Sequence, residues 1–406
     1  MNASTSPRFT RRAWLASSSL MASAVFALTA CGGGGGTGTA TGPQAAASAY
    51  AVGPITGFGS IIVNGVHYDD DLARVSDDDG VSHDRSALKL GMVVEVRGQG
   101  ADDRVAAQSI VTHSLLRGPV QAVGADSLLV LGQTVQVPST TFFDDRLAGG
   151  LTAVQAGDIV KVYGVLDAAT GVYTATRIER HDSGDDPFRL RGVVAAYDAV
   201  AATLTIGGAV IDVTGQSLPT GLQAGDLVRV KLQRTQVGGL WVATQVRSGE
   251  IRPDDGNHDH AEFEGSITAF TSSSDFSVEG LPVDASQARF EDGTAGLAAG
   301  VRVEVEGAIV NGVLVATKVE IKDGRRGGRN DGQDDVGDIE LNGRIDSVDV
   351  VAQTLIVRGV TVNFAGDVQY ERGTAADLVV QRKVEVHGVL ATDGVTVNAQ
   401  RIKFDD

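Results

Sequence analysis

Two runs of consecutive aspartates and one histidine pair are the residues best placed to do chemistry. Asp69–Asp71 and Asp77–Asp79 concentrate carboxylate oxygens, the ligands that Ca²⁺ prefers, although neither run has the spacing of a helix-loop-helix calcium site. His258-x-His260 lies among aspartates and offers imidazole nitrogens to a transition metal. Solvated polar loops are the simpler interpretation of all three features, so we assign no metal ligand. Weak Ca²⁺ binding by the acidic loops stays open.

No motif in the sequence predicts catalysis. It contains neither a Gly-x-Ser-x-Gly elbow, nor a His-Glu-x-x-His zinc motif, nor a phosphate loop ending in Gly-Lys. A carboxylate pair suited to glycoside hydrolysis occurs by chance among 51 acidic residues. Trp241 falls on an apolar position of a strand pattern and is predicted to be a core residue. We therefore predict a non-catalytic protein without a cofactor, with an envelope hydrolase as an alternative.

The charge of the chain limits its partners. The formal net charge is -17. Such a charge repels the phosphate backbone of nucleic acids, so nucleic acid is not expected as a partner. It also favours solubility.

The N-terminal segment has the order of a secretory signal. Arginines, including Arg11 and Arg12, precede an uncharged stretch at residues 13–30 that ends in small residues before Cys31. The Arg11-Arg12 pair resembles the twin-arginine export motif, and both this route and the general secretory route remain open. We predict a signal peptide at residues 1–30. Because 18 uncharged residues are borderline for spanning a bilayer, an uncleaved membrane helix is the alternative.

Leu28-Thr29-Ala30-Cys31 resembles the bacterial lipobox. The resemblance implies that the Cys31 thiol carries a diacylglyceryl group and that cleavage occurs just before it. Two or three acyl chains anchor a protein durably. Gly32 after the cysteine implies, by the same resemblance, the outer membrane. Residues 31–52 are predicted to be the lipidated cysteine and a flexible tether.

One small β unit recurs five times along the chain. In each copy a Val-rich strand leads through a hairpin turn to a return strand that carries a marker alanine. The return strands are Val105-x-Ala107-x-x-Ile110, Tyr173-x-Ala175-x-x-Ile178, Trp241-x-Ala243-x-x-Val246, Leu314-x-Ala316-x-x-Val319 and Val397-x-Ala399-x-x-Ile402. The predicted modules span residues 53–113, 116–181, 190–247, 263–322 and 339–404.

The return strands also predict the form of each module. Their apolar positions lie two and then three residues apart, whereas strict alternation gives even spacings. A β-bulge after the alanine restores the buried face and increases the twist, and strong coiling closes small sheets into barrels. We therefore predict an all-β protein of five tandem barrels, each with five to six strands and similar in scale to an oligonucleotide/oligosaccharide-binding barrel. A two-sheet sandwich is the alternative.

Glycine precedes the fourth strand in four modules, where a turn requires positive φ. Module 5 has Gln381 there, so its turn is predicted to differ. The acidic, polar segments 181–187, 249–262 and 323–338 are predicted to be exposed, mobile linkers.

The recurring Gly-Asp-x-Val-x-Val strand and the apolar-x-Ala-x-x-[Ile/Val] ending resemble domain of unknown function 5666. That family occurs in tandem in lipoproteins of Gram-negative bacteria. The resemblance implies β modules and an envelope location, and it supplies no catalytic residues. We therefore expect a non-catalytic envelope lipoprotein that contacts the membrane through its lipid and presents its modules to protein partners. A divalent-cation or small-ligand-binding envelope protein using the acidic loops is the alternative.

Overall fold

The computed structural model describes residues 47–101, 104–181, 184, 186–253, 256–322 and 339–405. These residues form strands, turns and short 3-10 helices, which confirms the all-β class. No helix within the described ranges is long and apolar enough to cross a bilayer. All the described residues belong to one compact unit.

The modules repeat the same succession of strands. Module 1 contains β1 (Ser48–Phe58), β2 (Ile61–Val63), β3 (Val66–Asp69), β4 (Arg74–Asp77), β5 (Ser82–His83), β6 (Val93–Ala101) and β7 (Arg104–Thr112). Module 2 contains β8 (Leu116–Val123), β9 (Ser127–Val130), β10 (Gln133–Gln136), β11 (Phe142–Phe143), β12 (Ile159–Leu166) and β13 (Tyr173–Arg180). Module 3 contains β14 (Phe188–Val193), β15 (Ala196–Asp198), β16 (Thr203–Ile206), β17 (Ala209–Asp212), β18 (Leu227–Leu232) and β19 (Trp241–Ser248).

The last two modules follow the same plan. Module 4 contains β20 (His258–Ser272), β21 (Asp275–Val278), β22 (Leu281–Asp284), β23 (Arg289–Phe290), β24 (Arg302–Val310) and β25 (Val313–Ile321). Module 5 contains β26 (Ile339–Asp349), β27 (Thr354–Val357), β28 (Val360–Asn363), β29 (Gln369–Glu371), β30 (Lys383–Leu390) and β31 (Val397–Phe404). The 3-10 helices are Arg85–Ala87, Asp145–Leu147, Gly150–Ala153 and Ala375–Asp377.

Each module closes into a small barrel, as module 2 illustrates. Strand β8 pairs antiparallel with both β9 and β12, because a register shift after Val120 bends it toward two neighbours. Strand β9 continues into β10, and β10 pairs in parallel with the return strand β13, which pairs with β12. The same parallel closure recurs in the other modules. The barrel prediction is confirmed, and the sandwich alternative is wrong.

The bulge predicted after the marker alanine is present in all five modules. In module 2, Tyr163 pairs with Arg177 and Gly164 pairs with Ala175, so Thr176 is the extra residue. The extra residues are Gln108, Thr176, Thr244, Thr317 and Gln400. A Cβ at Gly164 would lie 2.0 Å from the carbonyl oxygen of Thr174, so glycine is required opposite this bulge.

The turn before the fourth strand corrects one prediction. Gln381 has a φ of 70° and donates its backbone N–H to the carbonyl of Ile345 at 2.8 Å. Gly157 of module 2 has a φ of 94° and donates to Val120 at the same distance. Module 5 therefore forms the same turn as its relatives, and the expected difference is wrong. The surrounding barrel holds a non-glycine residue in the left-handed region, at an energetic cost.

The modules are joined by strand pairing. A row of modules connected only by mobile linkers would not show such pairing. Strand β1 pairs in parallel with β20 of module 4 and with β26 of module 5. Strand β8 of module 2 pairs antiparallel with β14 of module 3. Within the described residues, modules 1, 4 and 5 thus share a 19-stranded sheet, and modules 2 and 3 share a 12-stranded sheet. The first strand of a barrel has free edge groups, and satisfying them with another module removes an exposed edge.

Two predicted linker segments are therefore too long. Residues 48–52, assigned to the tether, belong to β1 and pair with both β6 and β20. Residues 258–262, assigned to a mobile linker, begin β20. Ile251 of the same predicted linker is buried. The third predicted linker, at residues 323–338, lies outside the described residues.

Candidate functional site

Seven cationic side chains lie on one side of the sheet that joins modules 2 and 3. Lys161 pairs across strands with Arg117, and Arg189 pairs with both Arg117 and Lys231. Because side chains alternate along a strand, this side is opposite the valines and leucines of the core. We call it the basic face. Its members are Arg117, Lys161, Arg189, Arg191, Arg229, Lys231 and Arg247.

The tip of the β4–β5 hairpin in module 1 docks on the basic face. Arg189 donates to Asp78 at 2.9 Å and to Asp77 at 3.4 Å, and it also contacts Asp79. Arg229 pairs with Asp78. The predicted acidic run Asp77–Asp79 is therefore a buried ionic contact between modules 1 and 3, not a solvated loop.

More cations complete this contact. Lys231 Nζ and Arg247 Nη2 lie 3.0 Å and 2.9 Å from the same Asp79 oxygen. Burial, followed by the nearby Arg247, lowers the pKa of Arg229 to about 9. Oxygens of Asp77, Asp78 and Asp79 lie within 4.8 Å of one another, as a bound cation requires. The arginines and the lysine already neutralise the carboxylates that would bind Ca²⁺.

The rest of the basic face is bound by other segments. Arg191 forms an ion pair with Glu279 of module 4 at 2.7 Å. Arg117 donates to the carbonyl oxygen of Pro187 at 2.7 Å and contacts Asp186 at 3.4 Å. Like charges directly opposite one another destabilise a sheet, so these partners are needed for the face to exist. The basic face therefore joins modules 2 and 3, which carry it, to modules 1 and 4.

The other acidic run is also committed to arginine. Asp70 is 2% exposed and lies 3.4 Å from Arg358 of module 5 and 3.7 Å from Arg85. Asp71 is largely exposed and pairs with Arg85. Asp70 thus joins modules 1 and 5 in the way that Asp78 joins modules 1 and 3.

The histidine pair does not converge on a site. His258 packs against the ring of Tyr50 with centroids 5.1 Å apart, and burial lowers the pKa of His258. Asp259 accepts hydrogen bonds from the backbone and hydroxyl of Ser48. His258 and Asp259 of β20 thus stabilise the pairing of β20 with β1. A separate group of Glu340, Glu385 and His387 has ligand atoms within 4.8 Å, but Lys403 lies 2.6 Å from Glu385.

A carboxylate lies buried between modules 1 and 4. Glu262 is in register with Ala51 of β1 and with Glu306 of β24. Its Oε2 is buried and has no hydrogen-bond partner among the described residues. Burial, reinforced by Glu304 and Glu306, raises the pKa of Glu262 to about 8. Burial likewise raises the pKa of Glu304 to about 7. Glu262 therefore takes up a proton at a higher pH than a solvated glutamate does.

The remaining predicted residues fall in three places. Trp241 is 7% exposed and packs edge-on against Phe188, with centroids 5.8 Å apart, which confirms its core position. Cys31, Arg11 and Arg12 lie outside the described residues. The basic face was missed. Its signal is the alternation of arginine with apolar residues in Phe188-Arg-Leu-Arg and of cations with valine in β18.

Comparisons with curated proteins and with solved structures supply no argument about fold or function. No curated protein matches this sequence. The solved structure described as drosophila Unr CSD456 aligns at 14% identity over 52% of this chain and 98% of that chain. Its TM-score of 0.13 is too low to support an argument about fold or function.

Five segments match the family described as Domain of unknown function (DUF5666). They are residues 52–111, 117–179, 191–247, 264–320 and 342–403. Each segment begins in the first strand of a barrel and ends one residue before the end of its return strand. The protein therefore belongs to the DUF5666 family, as five tandem copies of its domain.

Proposed function

We propose that this protein is a non-catalytic lipoprotein of the bacterial cell envelope that serves as a scaffold for other envelope proteins. The acylated Cys31 is its anchor, and lipoprotein sorting places it in the outer membrane. Tandem β modules give a scaffold several similar surfaces in one chain. The lipobox-like residues at 28–31 support the anchor.

The observation that carries the scaffold role is the use made of the buried charges. Asp77–Asp79 and the basic face belong to different modules. The ion pair of Asp78 and Arg189 joins two residues that are 111 positions apart in the sequence. Breaking a buried ion pair by removing one partner costs about 3–5 kcal/mol. Side chains that could otherwise bind metal or catalyse a reaction thus hold the modules in one arrangement. A fixed arrangement of modules is what a rigid scaffold requires.

The anchor is tested with Cys31→Ser in a bacterial host fed labelled palmitate. We expect the variant to lose the label and to leave the membrane fraction, whereas Ser23→Ala, in the same predicted signal, keeps both. If Cys31→Ser retains the label, the lipidation site is wrong.

The scaffold role is tested by capture of partners from detergent-solubilised envelopes on the immobilised full chain. We expect a defined set of envelope proteins to be retained by the wild type. The same set should be reduced with Asp78→Asn, which loosens module 1 from module 3. Capture of no protein above the level of an unrelated lipoprotein would reject the scaffold role.

A further inference from the structure

A cleft opens where modules 1, 2 and 5 meet. Its volume is 450 Å³, within the range of about 300–1,000 Å³ that small-ligand pockets occupy, and such pockets favour domain interfaces. We call it the three-module cleft. The lining residues used in the argument are Lys89, Phe142, Asp145, Arg177, Val360 and Val395.

The walls of the three-module cleft are held by contacts between modules. Phe143 donates its backbone N–H to the carbonyl of Gly394 at 2.7 Å, which ties module 2 to module 5. Thr176 donates its hydroxyl to the carbonyl of Gly91 at 2.7 Å, which ties module 2 to module 1. The cleft is therefore a product of the assembly, and no single barrel contains it.

Lys89 forms no ion pair with the described residues of the cleft. Its side chain is half-buried, and none of the described carboxylates lies within 4.0 Å of its ammonium. The ammonium reaches module 5, since a Cβ on Gly359 would stand 4.0 Å from Lys89 Nζ.

Arg177 adds a second donor. It is 6% exposed, its Nε donates to Glu179 at 2.7 Å, and its Nη1 donates to the carbonyl of Leu90 at 3.2 Å. These bonds fix the guanidinium and leave Nη2 without a partner among the described residues. By contrast, Arg146 is engaged by Asp144 and by the carbonyl of Arg180. One ammonium and one guanidinium nitrogen thus remain for a ligand.

The apolar part of the lining indicates that the ligand has an apolar body. Phe142, Val360 and Val395 are each only half-buried and face the cleft. Asp144, Asp145 and Glu179 line it as well, and a dianion would meet about twice the repulsion from these carboxylates that a monoanion meets. The fixed guanidinium of Arg177 and the ammonium of Lys89, beside apolar walls, match a single carboxylate on a compact apolar body.

We propose that the three-module cleft is a binding site for a small organic monocarboxylate, whose carboxylate contacts Lys89 and Arg177 while its apolar body packs on Phe142, Val360 and Val395. The site is independent of the lipid anchor and of protein capture. Its failure would leave the proposed scaffold role unaffected.

The test uses saturation-transfer NMR on the full chain with sodium benzoate as the probe. We expect benzoate to show transfer from the protein, benzyl alcohol of the same shape to show at least fivefold less, and inorganic phosphate not to displace benzoate. Equal transfer to benzoate and benzyl alcohol, or displacement by phosphate at equal concentration, would overturn the monocarboxylate assignment. This comparison requires no variant and therefore no assumption about folding.

Variants then locate the site. Lys89→Glu should reduce benzoate transfer at least fivefold, and Lys89→Arg should retain it. The matched control is Lys383→Glu, an equal charge change at a lysine that is 45% exposed, pairs with Asp405 and lies outside the cleft. Equal losses in the Lys89→Glu and Lys383→Glu variants, with circular dichroism unchanged in both, would show that the cleft is not the site.

Discussion

The buried carboxyl of Glu262 makes the stability of this protein depend on pH, and Glu262→Gln should remove much of that dependence. The folded-state pKa of about 8 compares with a usual value of 4.5. Between these two values the folded chain binds more protons than the unfolded chain, so stability falls as pH rises. The contribution of the neutral carboxyl is complete below pH 4.5 and lost as the pH passes 8.

The magnitude follows from the shift. Each pKa unit corresponds to about 1.4 kcal/mol, so a shift from 4.5 to 8 sets an upper bound of about 5 kcal/mol. The Oε2 atom of Glu262 is buried, but the residue as a whole is only half-buried. Its carboxyl is also coupled to Glu304 and Glu306, so we expect about 1–3 kcal/mol. Glutamine has nearly the same shape and stays neutral. The variant should therefore match the wild type near pH 5 and exceed its free energy of unfolding by that amount at pH 9.

The assay is urea unfolding followed by far-ultraviolet circular dichroism at pH 5, 7 and 9. Glu291→Gln, at a carboxylate on the surface of module 4 that pairs with Arg289, is the matched control and should show a constant offset. If the difference between Glu262→Gln and the wild type is the same at pH 5 and pH 9, the carboxyl is ionised and hydrated in the folded protein. Burial would then not raise the pKa of Glu262.

Two further predictions concern the ionic junction and the strained turn. Asp78→Asn should lower the free energy of unfolding by about 3–5 kcal/mol because it leaves buried arginines without their partner, whereas Asp71→Asn, at a side chain that is 73% exposed, should cost less than about 1 kcal/mol. Equal urea midpoints for these two variants would show that the junction adds no stability. Gln381→Gly should raise the free energy of unfolding by about 1 kcal/mol, and Gly157→Gln, where a Cβ meets no atom within 4 Å, should lower it by about 1–2 kcal/mol. Calorimetry checks this pair, and a loss of stability in Gln381→Gly would mean that its side chain, not its backbone, matters at that turn.

The form of each module could be predicted because its signals are local. The spacing of two and then three apolar positions around Ala175 places the extra residue at Thr176, and the same reasoning holds in every copy. A bulge involves residues that lie next to one another in the chain, so no distant contact can change it without exposing the apolar face.

Gln381 shows where local reasoning failed. Glycine is preferred at positive φ, and its absence from this position predicts a different turn. The backbone hydrogen bond to Ile345 and the closed barrel impose the common turn anyway. The cost of the left-handed conformation is small compared with the pairing that it preserves.

The candidate site could be predicted only in part. The alternation of Arg189 and Arg191 with core residues shows that they share a face, but that pattern does not name the group that neutralises them. Asp78 lies 111 positions from Arg189, and no periodicity connects the two. The sequence predicts that the acidic runs are solvated loops, because an isolated module offers their carboxylates no partner.

By itself, the sequence determined a chain of five bulged β barrels with their buried and exposed faces, because alternation, turns and bulges act between near neighbours. Tertiary structure decided how the barrels pair through β1, which aspartates meet which arginines, and where the three-module cleft lies. Those outcomes depend on free strand edges and on charges that meet across long separations. Their energies are set by burial, which exists only once the modules have assembled.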